Sequence, residues 1–499
     1  MSGTGRGAAV SVAWGVVRVV VVAAAAAGLV QGATGTSWSL DLREHGAGAT
    51  GPASTTTVVT DATLTCPGPD LTGIVGVADT PVPALAAAAA APADLVRSVS
   101  GADPGTGSLA IGMLDGTSRV RTAARAVPIA TVVTGRNGVL VEGTAGLAPG
   151  VAATQEWTVD SATLRGLVTL PCGPATSESW LVAGGGEPGR QERLLLVNPG
   201  ANEVSVDVSV LGAKGPISSA VGHGIVVPAH GRAGLLVDAI SGAQASPVVH
   251  VVVTGGVVRA TLNDSWLDGT VPTGSSTVGP TASPATHLVI PAVPVLGGGS
   301  LRVADPGSSD AVVKVRILGP EGGAPLPSGG VLTVRAGSVA EVSLASLPAA
   351  TTALEITADS PVVAGAVVTL RNGTSPGDLA WAAATEPIDR LGGLVLPATK
   401  PAPTRTLALV ASGGSVSVEV TTVDAAGAPH VVTVRVPADA TASVPLGTAA
   451  SVWLRPAGSG ALRAAVVSTV GSGAAQLVSV APVDSTAVSV ERSTILTIP

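Results

Sequence analysis

Neither phenylalanine nor tyrosine occurs in this chain of 499 residues, and its aromatic side chains amount to seven tryptophans. Its cores must therefore be built from Val, Leu, Ala and Ile, small and often branched side chains that suit thin packed sheets. The shortage of rings also removes the stacking platforms on which single-stranded nucleic acid is held, and a formal net charge of −7 offers it no basic surface; no nucleic-acid partner is expected. Lysine is scarce as well: of 26 basic residues only Lys214, Lys314 and Lys400 are lysines. Charged residues make up 12% of the chain against 46% apolar ones, so that despite 65 glycines and 38 prolines it is too apolar to stay disordered.

What the chain has is repetition. Trp180-Leu181-Val182-Ala183, Leu288-Val289-Ile290-Pro291-Ala292 and Leu394-Val395-Leu396-Pro397-Ala398 recur at intervals of 107 and 106 residues. Each is followed by an apolar run, and in two copies by an Asx-Pro-Gly turn, Asn198-Pro199-Gly200 and Asp305-Pro306-Gly307; Ala411-Ser412-Gly413-Gly414 stands in its place in the last copy. Proline pre-sets φ in such a turn and glycine supplies the freedom to end a strand. Val204 to Gly212 and Val313 to Gly319 then alternate apolar and polar residues with period two, the mark of strands buried on one face. Six or seven short strands per hundred residues predict an all-β fold of tandem immunoglobulin-like β-sandwich units. The rival is a closed β-propeller-like array in which each repeat supplies two blades and Val478 to Pro499 is the closing strand.

The one long hydrophobic run sets the expected compartment. Arg6 and Arg18 precede the apolar stretch Val19 to Val30, with small residues near Gly32 and Gly35. This reads as a cleaved signal, or as a signal anchor spanning the membrane through residues 8–30; in both readings the basic N-terminus stays inside and the body lies outside. The only two cysteines, Cys66 and Cys172, are 106 residues apart, one repeat length, and bracket a divergent first unit. An even pair in an oxidising compartment predicts a disulfide worth up to roughly 4.7 kcal/mol by loop closure.

Motifs of chemistry are weak. Gly373-Thr374-Ser375-Pro376-Gly377 satisfies Gly-x-Ser-x-Gly, but a nucleophile elbow needs a strand before it and a helix after it, and the residues that follow lead to a repeat boundary. His45, His223, His230, His250, His287 and His430 never fall at metal-ligand spacing, and Gly297-Gly298-Gly299-Ser300 lacks the lysine of a phosphate loop. No catalytic, cofactor-binding or metal residues are assigned, and no enzyme is expected. Trp180, Trp266 and Trp381, near unit edges, are candidates for stacking on a glycan if exposed; the plainer reading is that they, with Trp453, plug the ends of aromatic-poor cores.

The run Cys172-Gly173-Pro174, Trp180-Leu181-Val182-Ala183-Gly184-Gly185, Arg193-Leu194-Leu195-Leu196-Val197-Asn198-Pro199-Gly200, Val227-Pro228-Ala229 and Gly256-Val257-Val258-Arg259-Ala260 resembles domain of unknown function family 5719. That is an actinobacterial family of membrane-anchored extracytoplasmic proteins, and the wealth of Ala, Gly, Val and Arg fits such a high-GC source. The resemblance implies an N-terminal hydrophobic segment, a β-rich body and genes near glycosyltransferases; it brings no catalytic residues with it.

The expected organisation is a cytoplasmic stub with signal or anchor at 1–35, a first β-unit at 55–173, a second at 177–272, a Ser/Thr/Pro linker at 273–284, a third unit at 285–385, a fourth at 390–485 and a C-terminal strand or tail at 486–499. The expected function is a non-enzymatic extracytoplasmic cell-envelope protein serving as an interaction or spacing scaffold, whose partner is an envelope protein or polysaccharide. The alternative is a glycan-binding or glycan-export accessory protein.

Overall fold

Alternation in the sequence becomes burial on one face. In Val204–Gly212 every second residue from Val204 to Val210 is buried while Ser205, Asp207 and Ser209 face solvent, and Ala311–Gly319 begins in the same rhythm. The computed structural model describes residues 54–493 except 78, 80, 218, 328, 372 and 373. The chain divides into a body, 56–492, and a second unit of 1–55 with 493–499, of which only Ser54, Thr55 and Ser493 are described. The expected signal or anchor at 8–30 lies outside the described residues; within them no helix is long and apolar enough to cross a membrane.

The body is all-β and consists of two-sheet sandwich units built of antiparallel strands. In the first unit, Asp61–Cys66, Val139–Ala145, Gly107–Met113 and Arg119–Thr122 form one sheet, and Ile129–Val133, Ala84–Ala90, Val151–Asp160 and Arg165–Pro171 the other. The second unit runs from Glu178–Val182 to Val271–Val278 and the third from Ala285–Pro294 to Asp378–Ala383. The fourth runs from Gly392–Val395 to Leu477–Pro482 and Asp484–Ser485. In the third unit one long strand, Thr351–Leu370, pairs in both sheets. Among the described residues no closed barrel or propeller is found. The C-terminal stretch does reach the start of the body, since Ser489–Ser493 pairs with Ser54–Val58 and Val59 N donates to Val488 O at 3.0 Å. It does so as a separate two-stranded sheet that neither sheet of the first unit includes.

The Asx turns act as expected. Gly200 N donates to Asn198 Oδ1 at 2.8 Å and Gly307 N to Asp305 Oδ1 at 2.7 Å. In the fourth unit the missing acceptor comes from across the sheet, where Asp439 Oδ1 takes Gly413 N at 2.9 Å. Cys66 and Cys172 are disulfide-bonded with Cα atoms 4.5 Å apart, joining the last residue of one sheet's strand to the residue after the other sheet's.

The cores do not stop at unit boundaries. In Ala84–Ala90, Ala84, Ala86, Ala88 and Ala90 pack into the first unit's own core, while Ala87, Ala89 and the following Ala91 pack with Leu391, Val395 and Trp453 of the fourth. A strand covered on both faces at close range needs side chains this small, which is why an alanine run folds here as strand and not as helix. Trp381 and Val367 of the third unit likewise belong to the second unit's core, and Ala465 and Val478 of the fourth to the third's.

Four strands, Arg165–Pro171, Val271–Val278, Asp378–Ala383 and Leu477–Pro482, each form the edge of one sheet, and each lies beside the next in a closed circuit, the last beside the first. This corrects the linker expected at 273–284. Residues 273–278 are strand, mostly buried, and pair with Arg259–Asp268; their Ser, Thr and Gly are what neighbouring edges leave room for. A Cβ on Gly274 would overlap the backbone of Asp378 and Leu379, and one on Gly166 the backbone of Ser275. Edge N–H groups that have no strand partner are capped by the neighbouring unit. Thr169 N donates to Ser479 Oγ at 2.9 Å, Trp381 N to Ser276 Oγ at 3.4 Å, and Val478 N to Asp378 Oδ2 at 2.7 Å. Gly274 also holds φ +142, a conformation L side chains rarely adopt. Gly274→Ala is accordingly expected to lower unfolding free energy by at least about 2 kcal/mol. Gly269→Ala, at φ +63 with nothing within 4 Å of its Cβ, should cost only about 1 kcal/mol. Chemical denaturation of the two variants checks this; equal losses would contradict the packing.

Candidate functional site

Arginine side chains cross all four seams between units. At the first–second seam Arg193 Nη1 donates to Asp70 Oδ1 at 2.6 Å, and at the second–third Arg302 donates to Ala183 O at 3.2 Å and Gly184 O at 3.0 Å. At the third–fourth seam Arg463 Nε donates to Thr385 O at 2.8 Å and Arg316 pairs with Asp439 at 3.3 Å. At the fourth–first, Arg405 Nη2 lies 2.8 and 3.0 Å from the two oxygens of Glu156, both side chains buried. Among the four edge strands Arg165 reaches two further units at once, donating to Gly377 O at 3.3 Å and Ala475 O at 3.0 Å. A planar guanidinium with five donors can bind several carbonyls and a carboxylate together, which an ammonium cannot do with the same geometry.

The densest of these clusters lies at the second–third seam, and it gathers the tryptophans singled out from the sequence. Asp264, fully buried, accepts Arg190 Nε at 2.9 Å and Nη2 at 2.6 Å and also Trp381 Nε1 at 2.7 Å. These three bonds and the Arg190 charge hold its carboxyl below the usual range against the opposing effect of burial. Trp381 is 2% exposed, with the Arg302 guanidinium 5.0 Å from its ring centroid. Trp180 is buried and stacks on His250 at 3.9 Å, and Trp453 is fully buried. Stacking of Trp180 or Trp381 on a glycan is thus overturned, because cores without Phe or Tyr draw in the few large rings there are. Trp266 alone of the three is half-buried; it donates to Pro188 O at 3.3 Å, and Arg190 and Arg371 each approach its ring to 5.4 Å.

The paired glycines of the Trp-x-x-x-Gly-Gly motif meet this cluster. Gly184 holds φ +90 with Glu192 against it, leaving no space for a Cβ, and Gly185 N donates to Glu192 Oε1 at 2.6 Å. Burial, and then the charge of Asp264, push the Glu192 carboxyl up to about 8, while the bond from Gly185 opposes them. Glu192 is therefore a protonated acid near neutrality, and nothing in the sequence beyond an ordinary strand glutamate marked it.

A second enclosed space lies at one end of the edge strands. A cavity of about 40 Å³ is lined by all four units, with Pro171, Arg259, Trp381 and Val480 among its walls and Asp484 beside them. Arg259, in the Gly-Val-Val-Arg-Ala segment, donates to Pro171 O at 3.3 Å, and its buried Nε has no partner. Burial draws its guanidinium below the ordinary value and Asp484 opposes this. Such a volume is the size of a few waters.

The remaining candidates stay apart. His250 bonds to Glu178 at 2.8 Å, His287 to Glu355 at 3.0 Å and His223 to Asp207 at 3.3 Å. Among the described residues no three His, Cys, Asp or Glu side chains are placed to hold a metal ion; His45 lies outside them. After Ser375 the chain enters the strand Asp378–Ala383, not a helix, and Gly373 is outside the described residues.

Because Glu192 is protonated in the fold and ionised when unfolded, stability is expected to fall as pH rises from about 4.5 towards about 8, by up to roughly 1.4 kcal/mol per unit. Glu192→Gln should flatten this slope, gaining on the parent protein at pH 8.5 relative to pH 5.5. Thermal unfolding at the two pH values checks it; an unchanged slope would contradict the assignment.

Comparison with known proteins gives one finding. A family model described as a family of unknown function, DUF5719, matches residues 121–447, from the middle of the first unit into the fourth. None of the curated proteins and none of the solved structures matches the chain. The match extends over well more than half of the sequence and takes in the Trp-x-x-x-Gly-Gly, Asn-Pro-Gly and Arg259 segments, and the chain belongs to the DUF5719 family.

Proposed function

We propose that this protein is a non-enzymatic extracytoplasmic component of the cell envelope, held at the membrane or released by cleavage of its N-terminal segment, and that it acts as an interaction or spacing scaffold. The observation that carries the reading is the use of charge. The Arg405–Glu156 and Arg193–Asp70 pairs, Arg302 with its carbonyls and Arg165 across the edge strands all join one unit of the body to another. Four sandwiches fastened in this way make a stiff body, which suits a spacer, and the basic start followed by an apolar run supports export.

A glycan-binding or glycan-export accessory role is the second reading. What supports it is no longer the tryptophans but a cleft of about 330 Å³ at the third–fourth seam, lined by the hydroxyl residues Thr351, Thr352, Thr406, Thr441 and Ser443. Small polar groups along a cleft of this size are suited to hydrogen-bonding a sugar.

Alkaline phosphatase joined after Gly184 should be active in cells, and cross-linking of intact cells should recover the full-length protein with envelope material. An inactive phosphatase with a bright cytoplasmic reporter at the same position would overturn the export. Recovery only as the uncross-linked chain would overturn the scaffold.

A further inference from the structure

The first–second seam differs from the others in its balance of charge. Arg136, Arg193 and Arg232 converge on one carboxylate, Asp70, where the fourth–first seam sets Arg405 against Glu156. Asp70 Oδ1 is 2.6 Å from Arg193 Nη1 and 3.7 Å from Arg136 Nε, and Oδ2 accepts Arg232 Nη2. Arg232 Nη1 is further fixed by Pro67 O at 2.9 Å, beside disulfide-bonded Cys66, and Arg136 by Thr72 Oγ1 at 3.3 and 3.2 Å. Asp70 and Arg232 are buried and Arg193 nearly so, while Arg136 is 66% exposed at the rim. The nearest acid along the loop, Asp79, accepts Gly73 N at 2.6 Å.

The three guanidiniums and Asp70 line an open cleft of about 290 Å³ together with Gly234, Leu235 and Leu236. Each guanidinium carries five donors, and Arg193 gives Asp70 a hydrogen bond through Nη1 alone. Three cations against one anion leave an excess of two positive charges in a wall where the Arg232 side chain is buried, Arg193 nearly so and Arg136 exposed, within a chain whose net charge is −7. Burial draws Arg232 below its ordinary value, and Arg136 and Arg193 add to that while Asp70 opposes it, as expected of a site short of negative charge.

We propose that this cleft binds a phosphate group, with Arg136, Arg193 and Arg232 as its ligands and Asp70 as the residue that positions two of them. A phosphate carries about −1.5 to −2 at neutral pH, which matches the excess, where a carboxylate carries half of it. The cleft lies at the small end of the range for ligand pockets, roughly 300–1,000 Å³, and so accommodates the group itself or a phosphorylated sugar unit. The site does not depend on the compartment or on the scaffold reading.

Calorimetric titration of the full-length protein in detergent with inorganic phosphate, glucose 1-phosphate, glucose and glucuronate tests it. Saturable binding of inorganic phosphate is expected, weakened at least tenfold by Arg136→Glu, a rim substitution that leaves the Asp70 contacts of Arg193 and Arg232 in place, and by Arg193→Gln. Tighter binding of glucose 1-phosphate would mark a phosphate borne on a saccharide, and equal binding a free phosphate. Absence of saturable phosphate binding, binding indifferent to Arg136→Glu, or glucuronate bound as tightly as phosphate would overturn the proposal. Phosphate binding by a protein found inside the cell would leave this site standing and remove only the envelope role.

Discussion

Each sandwich ends one of its sheets in a strand that has no further strand to pair with, and the four such edges lie side by side. Exposed edges carry rows of unpaired N–H and C=O groups that invite aggregation. Here they are covered by one another, at a spacing that a side chain of ordinary size would not permit. The composition follows from that constraint. Gly166 and Gly274 let backbones approach, Ser276, Ser479 and Asp378 supply acceptors from the neighbouring unit, and Arg165 binds carbonyls of two units at once. Asp378 illustrates how tightly the region is closed: burial holds its carboxyl well above the usual range although Val478 N and Leu379 N both bond to it.

The arginines complete at the seams what the edges begin. A buried ion pair is a weak source of net stability, because desolvation offsets most of the attraction, but removing one partner is strongly destabilising. Contacts of that kind specify an arrangement more than they strengthen it. Glu156 accepts Arg405, Thr169 and Thr399 together, so the fourth unit has one docking position on the first. Arg302, inserted among Ala183, Gly184, Ala245 and Pro247 carbonyls, does the same between the third and second. Among the described residues, buried charges such as Asp70, Glu156, Arg165, Arg302, Asp378, Arg405 and Arg463 lie where units meet.

Strands with one wet face were legible in the sequence because alternation is a local signal, and so were the repeat and the disulfide, which rest on spacing. What was not legible is what depends on neighbours distant in the chain. Thr273-Gly274-Ser275-Ser276-Thr277 reads as a linker by composition, since nothing local says that three other strands will press against it. The scarcity of lysine hints at a source of the gene until Arg193, Arg302, Arg405 and Arg463 are seen bridging units. Trp180 and Trp381, near unit edges in sequence, fill the seams that those edges form. Glu192 and Asp70 carried no motif; only the folded positions of Gly185 and of the three arginines give them meaning.

The central claim is that the four sandwiches stand or fall together, since their edges cap one another and their cores run across the seams. Hydrogen exchange across a denaturant series measures this directly, strand by strand. The account predicts that Arg165–Pro171, Val271–Val278, Asp378–Ala383 and Leu477–Pro482 lose protection at one common denaturant concentration. Four separate midpoints, one for each sandwich, would contradict it.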